Sequence, residues 1–134
     1  MPAFLKALEY NVKTLEMDAA ISKEGKVIIS HEPWFSAEIS AKPDGSPIVH
    51  EEEKEYGIRQ MTVEKLQQYD VGSRGNERFP EQTKMKVAKP TLEEVVQAVN
   101  QYCKNNNHPQ PLYNIEIKSR PEWDEVLALS LIHI

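Results

Sequence analysis

Chemistry in this 134-residue chain would start from two pairs of polar residues, each pair spaced one residue apart in a short β-like run. Glu16 and Asp18 form the first pair and alternate with Leu15 and Met17. Glu116 and Lys118 form the second, with Asn114 in phase and Ile115 and Ile117 out of phase. Alternate side chains of an extended chain share a face, so each pair stands on one side of its strand. Neighbouring carboxylates repel unless a proton or a cation lies between them. If Glu16, Asp18 and Glu116 converge, they make an all-oxygen donor set, which suits a hard divalent cation, Ca2+ or Mg2+, and not zinc. Lys118 would then add a positive charge for an anionic substrate, an arrangement able to stabilise charge on a phosphoryl group. Plainer readings fit each pattern taken alone: a solvated strand end for the acidic pair, and a structural ion pair for Glu116 and Lys118.

His31 closes the apolar run Val27-Ile28-Ile29-Ser30. Histidine is the usual general acid or base near neutral pH, although a histidine at a strand end also serves as an ordinary surface group. His50, His108 and His133 fall in loops or in the tail and receive no role. The single cysteine, Cys103, allows neither an internal disulfide nor a zinc cluster, and its neighbours place it on a helix as a packing or surface thiol. A net charge of -5 with scattered Lys and Arg argues against a nucleic-acid partner. No apolar run of about 18 residues is present to span a membrane. The compartment stays open between periplasmic or secreted and cytoplasmic.

The elements that must hold these residues can be read in turn. A short helix is expected over Pro2–Tyr10, ended by Asn11 in a left-handed conformation. A strand follows over Thr14–Ala20, then a turn at Lys23-Glu24-Gly25-Lys26, then a second strand over Val27–Ser30. From Glu32 to Lys89 the chain reads as inserted loop, with Pro33, Pro43, Asp44-Gly45, Pro47 and the acidic run Glu51-Glu52-Glu53. Within it, Thr62 is expected to cap a short helix stapled by Met61 and Leu66. Thr91-Leu92-Glu93-Glu94 is a capping box, and Leu92, Val95, Val96 and Val99 mark one face of the helix it opens. Leu112–Lys118 is a third strand, and Pro121-Glu122-Trp123 begins a further helix. Strands separated by helices imply parallel βαβ architecture, and in a (β/α) barrel functional groups sit at the C-terminal strand ends.

The ordered series Pro2-Ala3-Phe4-Leu5, Leu15-Glu16-Met17-Asp18, Val27-Ile28-Ile29-Ser30-His31-Glu32, Lys89-Pro90-Thr91-Leu92-Glu93-Glu94 and Asn114-Ile115-Glu116-Ile117-Lys118 resembles the glycerophosphodiester phosphodiesterase family. The similarity runs from Met1 to about Glu125. It implies an α/β chain, the first half of a (β/α) TIM-type barrel with parallel strands and an insertion after the second strand, over residues 1–128. It also implies that Glu16, Asp18 and Glu116 hold a divalent metal, that His31 is one of two catalytic histidines, and that Lys118 faces the phosphate. The reaction implied is hydrolysis of a glycerophosphodiester to glycerol 3-phosphate and an alcohol.

Three departures from the family pattern stand out. The opening His-Arg-Gly and Pro-Glu-Asn-Thr motifs are absent, so Met1 is expected to be an internal residue and the segment to be inactive alone. Glu32 stands where Asp is usual. A whole barrel takes roughly 250 residues. The tail Leu129–Ile134 fits nothing in the family and reads as sequencing-adapter residue outside the native fold. A barrel that keeps the scaffold but only binds a phosphate ligand or a protein, or a related phospholipase-type barrel, remains as an alternative.

Overall fold

The computed structural model of the chain describes residues 1–118. Pro2 enters the first turn of helix α1 (Pro2–Leu8), where a missing N–H leaves nothing unsatisfied. Just beyond the helix, Asn11 takes a φ of 55°, the left-handed conformation that asparagine tolerates. Strand β1 (Thr14–Ile21) then alternates as the sequence pattern requires: Leu15, Met17 and Ala19 are buried, while Glu16 is exposed and Asp18 partly so.

Helix α3 (Leu92–Asn106) carries the expected capping box. The Thr91 hydroxyl accepts from the Glu94 amide and the Glu94 carboxylate accepts from the Thr91 amide. Its buried stripe of Leu92, Val95, Val99 and Cys103 packs on Leu8, Leu15, Met17, Ala19 and Val27. Cys103 is thus a packing thiol. Asn107, at φ 50°, ends the helix, and the chain returns in strand β3 (Leu112–Ile117). β3 pairs parallel with β1 from Thr14↔Leu112 to Ala19↔Ile117. This is the expected βαβ unit with α3 as its crossover.

Strand β2 (Val27–Ile29) departs from the parallel arrangement. It pairs antiparallel with β1, Ala19 opposite Ile29 and Ile21 opposite Val27, so the sheet order is β2-β1-β3. The cause is the length of the connection. The Ser22 amide donates to the Lys26 carbonyl at 2.9 Å, and Gly25 at φ 79° closes the turn. A link this short can only make a hairpin, since a parallel return needs a dozen or more residues. Among the described residues the parallel pairing runs to Ala19, and β1 continues to Ile21 within the hairpin.

The segment from Glu32 to Lys89 is mostly irregular, as expected, yet it is not bare loop. Phe35, Ile48, Ile58, Met61, Leu66 and Tyr69 form a second buried core with Ala20 and Ile28 from the hairpin. Phe35 and Tyr69 stack with ring centroids 4.5 Å apart. The short helix α2 (Val63–Leu66) is capped by Thr62, as the sequence implied. Asp70, itself buried, ties the insertion together: one carboxylate oxygen accepts from the amides of Gly72, Ser73 and Val87. This core covers Ile28, while Val27 is buried in the core under α3; Ile117 on β3 is 45% exposed. The helix expected from Pro121 and the tail 129–134 lie outside the described residues.

Candidate metal and phosphate site

The register of β1 on β3 assembles the site. Asp18 lies directly opposite Glu116 and Glu16 opposite Asn114, so the two polar faces are one face. One carboxylate oxygen from each of Glu16, Asp18 and Glu116 lies within 4.8 Å of the other two. Strand parity allowed this convergence and the β1–β3 register produces it; the donor chemistry fits a hard divalent cation that these three side chains could hold.

Lys118 supplies the countercharge. Its amide donates to the Ala19 carbonyl at 2.8 Å, which extends the ladder and fixes the side chain on the acidic face. Its ammonium hydrogen-bonds Glu116 and lies 3.3 Å from Asp18 Oδ1. The hydrogen bond and the charge of Lys118 hold the Glu116 carboxyl below its ordinary range, with a smaller contribution from His31. The same bond to Glu116 raises the Lys118 amine, with Asp18 adding to the effect.

His31 reaches the same place by the antiparallel route. The hairpin carries β2 back along β1, and the Ser30 amide donates to the Asp18 carbonyl at 2.9 Å. His31 is therefore one residue from a backbone bond to a carboxylate-bearing position. Its side chain is 70% exposed, and Nδ1 lies 2.8 Å from Glu32 Oε1. Glu32 thus provides the acceptor expected of an Asp at that position. Glu16, Asp18, Ser30 and His31 line one open cleft of about 330 Å3, together with Val71, Val87 and Lys89.

Lys89 is the site residue that sequence reasoning missed. Only 8% exposed, it donates from Nζ to Ser30 Oγ at 2.5 Å and sits 5.4 Å from the centre of the Phe35 ring. Burial lowers its pKa to about 8, although Glu32 pulls in the opposite direction.

Three carboxylates and a lysine on one face of two parallel strands, joined by a helical crossover, form a segment of a (β/α) barrel with a candidate cation site at its strand ends. The model of the glycerophosphoryl diester phosphodiesterase family matches residues 1–132, and the chain belongs to that family. A candidate glycerophosphoryl diester phosphodiesterase from Silicibacter pomeroyi superposes with a TM-score of 0.83 at 21% identity, covering 99% of this chain and 46% of that one. A phosphodiesterase from Oleispira antarctica, solved with its product sn-glycerol-3-phosphate, superposes at 0.66 and 21% identity over 98% of this chain and 43% of that one. The Thermotoga maritima glycerophosphodiester phosphodiesterase gives 0.53 at 27% identity, covering 96% and 41%. None of the curated proteins matches. The chain spans less than half the length of these solved structures, and its fold is the corresponding part of a TIM-type barrel.

Proposed function

We propose that this segment serves an enzyme that hydrolyses glycerophosphodiesters to glycerol 3-phosphate and an alcohol with a divalent cation, Ca2+ or Mg2+. The observation that carries the reading is the three-carboxylate cluster within 4.8 Å, with Lys118 beside it. The product bound to the Oleispira antarctica protein is the one such a reaction would release. Glu16, Asp18 and Glu116 would hold the cation, which would supply Lewis-acid stabilisation of negative charge on the phosphoryl group. Lys118 adds charge on the same face. The P–O bond to the alcohol breaks, and the departing oxygen takes a proton. His31 would move it. With Nδ1 donating to Glu32, Nε2 would carry the proton that the departing oxygen takes, while the proton of the attacking water would go to a base on the other side of phosphorus.

The described residues offer one such histidine beside the cluster. In-line displacement uses a base on one side of phosphorus and an acid on the other, so residues 1–134 alone are expected to be inactive. The test uses the complete enzyme, with metal titration calorimetry beside an assay of glycerol 3-phosphate release. Glu16→Gln should weaken divalent binding by at least about 10- to 100-fold, the loss typical even of residues that merely support metal ligands, and turnover should fall with it. His31→Ala should lower turnover while leaving metal affinity in place. Loss of metal binding in His31→Ala with none in Glu16→Gln would overturn the assignment.

A further inference from the structure

Lys89 sits where an apolar side chain would serve stability better. It lies at the edge of the second core, against Phe35, in the segment that runs antiparallel beside β2. Ile28 bridges to Thr91 there, and the Ile29 amide donates to the Pro90 carbonyl at 2.9 Å. Lysine is almost never so fully buried unless it is paired, because removing an ammonium from water is costly. Its contacts are a hydroxyl and a ring face, with the Glu32 carboxylate acting on it through charge and no ion pair formed between them.

That hydroxyl belongs to Ser30, and Ser30 is the junction of the site. Its amide donates to the Asp18 carbonyl, its Oγ donates to the Glu32 carbonyl at 2.6 Å, and the same Oγ accepts from Lys89 Nζ. His31 is the residue between the two ends of that clasp. Its own side chain is otherwise exposed, and Glu32 is the partner of its ring. The orientation of the ring depends on where the backbone of 30–32 is held. A serine hydroxyl alone rotates freely; one fixed by a charged donor holds a single direction.

We propose that Lys89 is a positioning residue: acting through the Ser30 hydroxyl, its ammonium locks the Ser30–Glu32 turn and so sets where His31 stands beside the Glu16, Asp18 and Glu116 cluster. This rests on the reading of His31 as the proton-transfer group. The expected behaviour is therefore that of a residue acting on turnover and not on substrate or metal binding.

Two variants cut the same link from opposite ends. Lys89→Met removes the charge and keeps the length; Ser30→Ala removes the hydroxyl and keeps the lysine. In the 134-residue chain, the His31 ring-nitrogen signals in long-range 1H–15N spectra should move in both variants, while those of His50 and His108 stay. In the complete enzyme, both variants should lower kcat for glycerophosphocholine by roughly 10- to 100-fold, the scale of a small misplacement of a catalytic group. KM and divalent affinity should hold to within about twofold, the mark of an interaction that matters only in the transition state. The double variant should lose no more than either single one, because both remove one interaction. Unmoved His31 signals with unchanged kcat, or losses that multiply in the double variant, would overturn the proposal. Should Lys89→Met fail to fold, Ser30→Ala reads both measurements alone. A wild-type enzyme that releases no glycerol 3-phosphate would refute the proposed activity, and the spectra would still decide the positioning of His31.

Discussion

Exchanging Lys89 for methionine also tests the energetic side of its burial, independently of turnover. The amine is pushed from 10.5 to about 8, chiefly by burial. Each pKa unit corresponds to 1.36 kcal/mol, so the folded protein disfavours the charged amine by about 3 kcal/mol relative to the unfolded chain. The folded pKa is the lower one, so the unfolded chain binds more protons between about pH 8 and 10.5. Stability must therefore rise with pH across that window. Below it the cost is present in full; above it the cost is gone. Other lysines and tyrosines titrate there too, but they do so in both proteins and cancel in the difference. Urea unfolding of wild type and Lys89→Met, followed by tryptophan fluorescence from about pH 7 to pH 10, isolates the effect. Wild type should gain on the variant by about 1 kcal/mol at pH 9 and by most of the full amount at pH 10. The constant offset between the two carries the Ser30 hydrogen bond and the Phe35 contact and plays no part in the slope. A difference that stays flat with pH would refute the idea that a charged amine is buried here.

Other perturbations have definite outcomes. Asp70→Asn should destabilise the insertion by roughly 1–3 kcal/mol, because the carboxylate accepts three backbone N–H groups, a role an amide fills less well. Burial alone would raise the Asp70 pKa, but the bonds from Ser73, Gly72 and Val87 outweigh it and the net shift is downward. The advantage over the variant is thus present above the ordinary carboxyl range and shrinks as pH falls below it, which paired urea melts at about pH 6 and pH 3 would show. Thr91→Ala should cost about 1 kcal/mol by opening the capping box of α3, measured as a shift in the urea midpoint. Lys118→Met should tighten divalent binding, since its ammonium shares Asp18 and Glu116 with any incoming cation; weaker binding in a calcium or magnesium titration would refute that competition.

What the sequence made legible is local. The capping box at Thr91 and Glu94, the stripe of Leu92, Val95 and Val99, and the parity of Glu16 with Asp18 all depend on spacing within a few residues. Chain direction at β2 was also within reach. The turn at Lys23–Lys26 is plain in the sequence, and a connection that short excludes a parallel return. The alternation of strands and helices along the chain points the other way. The second core was not legible, because Phe35, Ile48, Ile58, Met61, Leu66 and Tyr69 follow neither the helical period nor the strand period. Their partnership exists only once the hairpin presents Ala20 and Ile28 to them.

The candidate site shows the same division. Parity alone placed Glu116 and Lys118 on one face of β3, but whether that face joins the face of Glu16 and Asp18 depends on a register between strands far apart in the chain. A slip of one residue would have turned Glu116 to the face that packs on α3. The observed pairing of Asp18 with Glu116 removes that freedom, and the backbone bond from Lys118 to Ala19 secures it. His31 was expected at the cluster as the end of a parallel strand and arrives there as the end of an antiparallel one. The antiparallel pairing brings Ser30, the neighbour of His31, to the level of Asp18, so the strand end lies beside the cluster although its direction is reversed. Lys89 had no comparable signal of its own. It is one of 16 scattered cations, set apart by its position in the stretch Val87-Ala88-Lys89-Pro90, at the head of the Lys89–Glu94 series that carries the family resemblance. A charge takes on meaning there through what surrounds it, and Phe35 and Ser30 come from the insertion and the hairpin. The residue least visible in the sequence is thus the one that ties those two parts of the fold to the site.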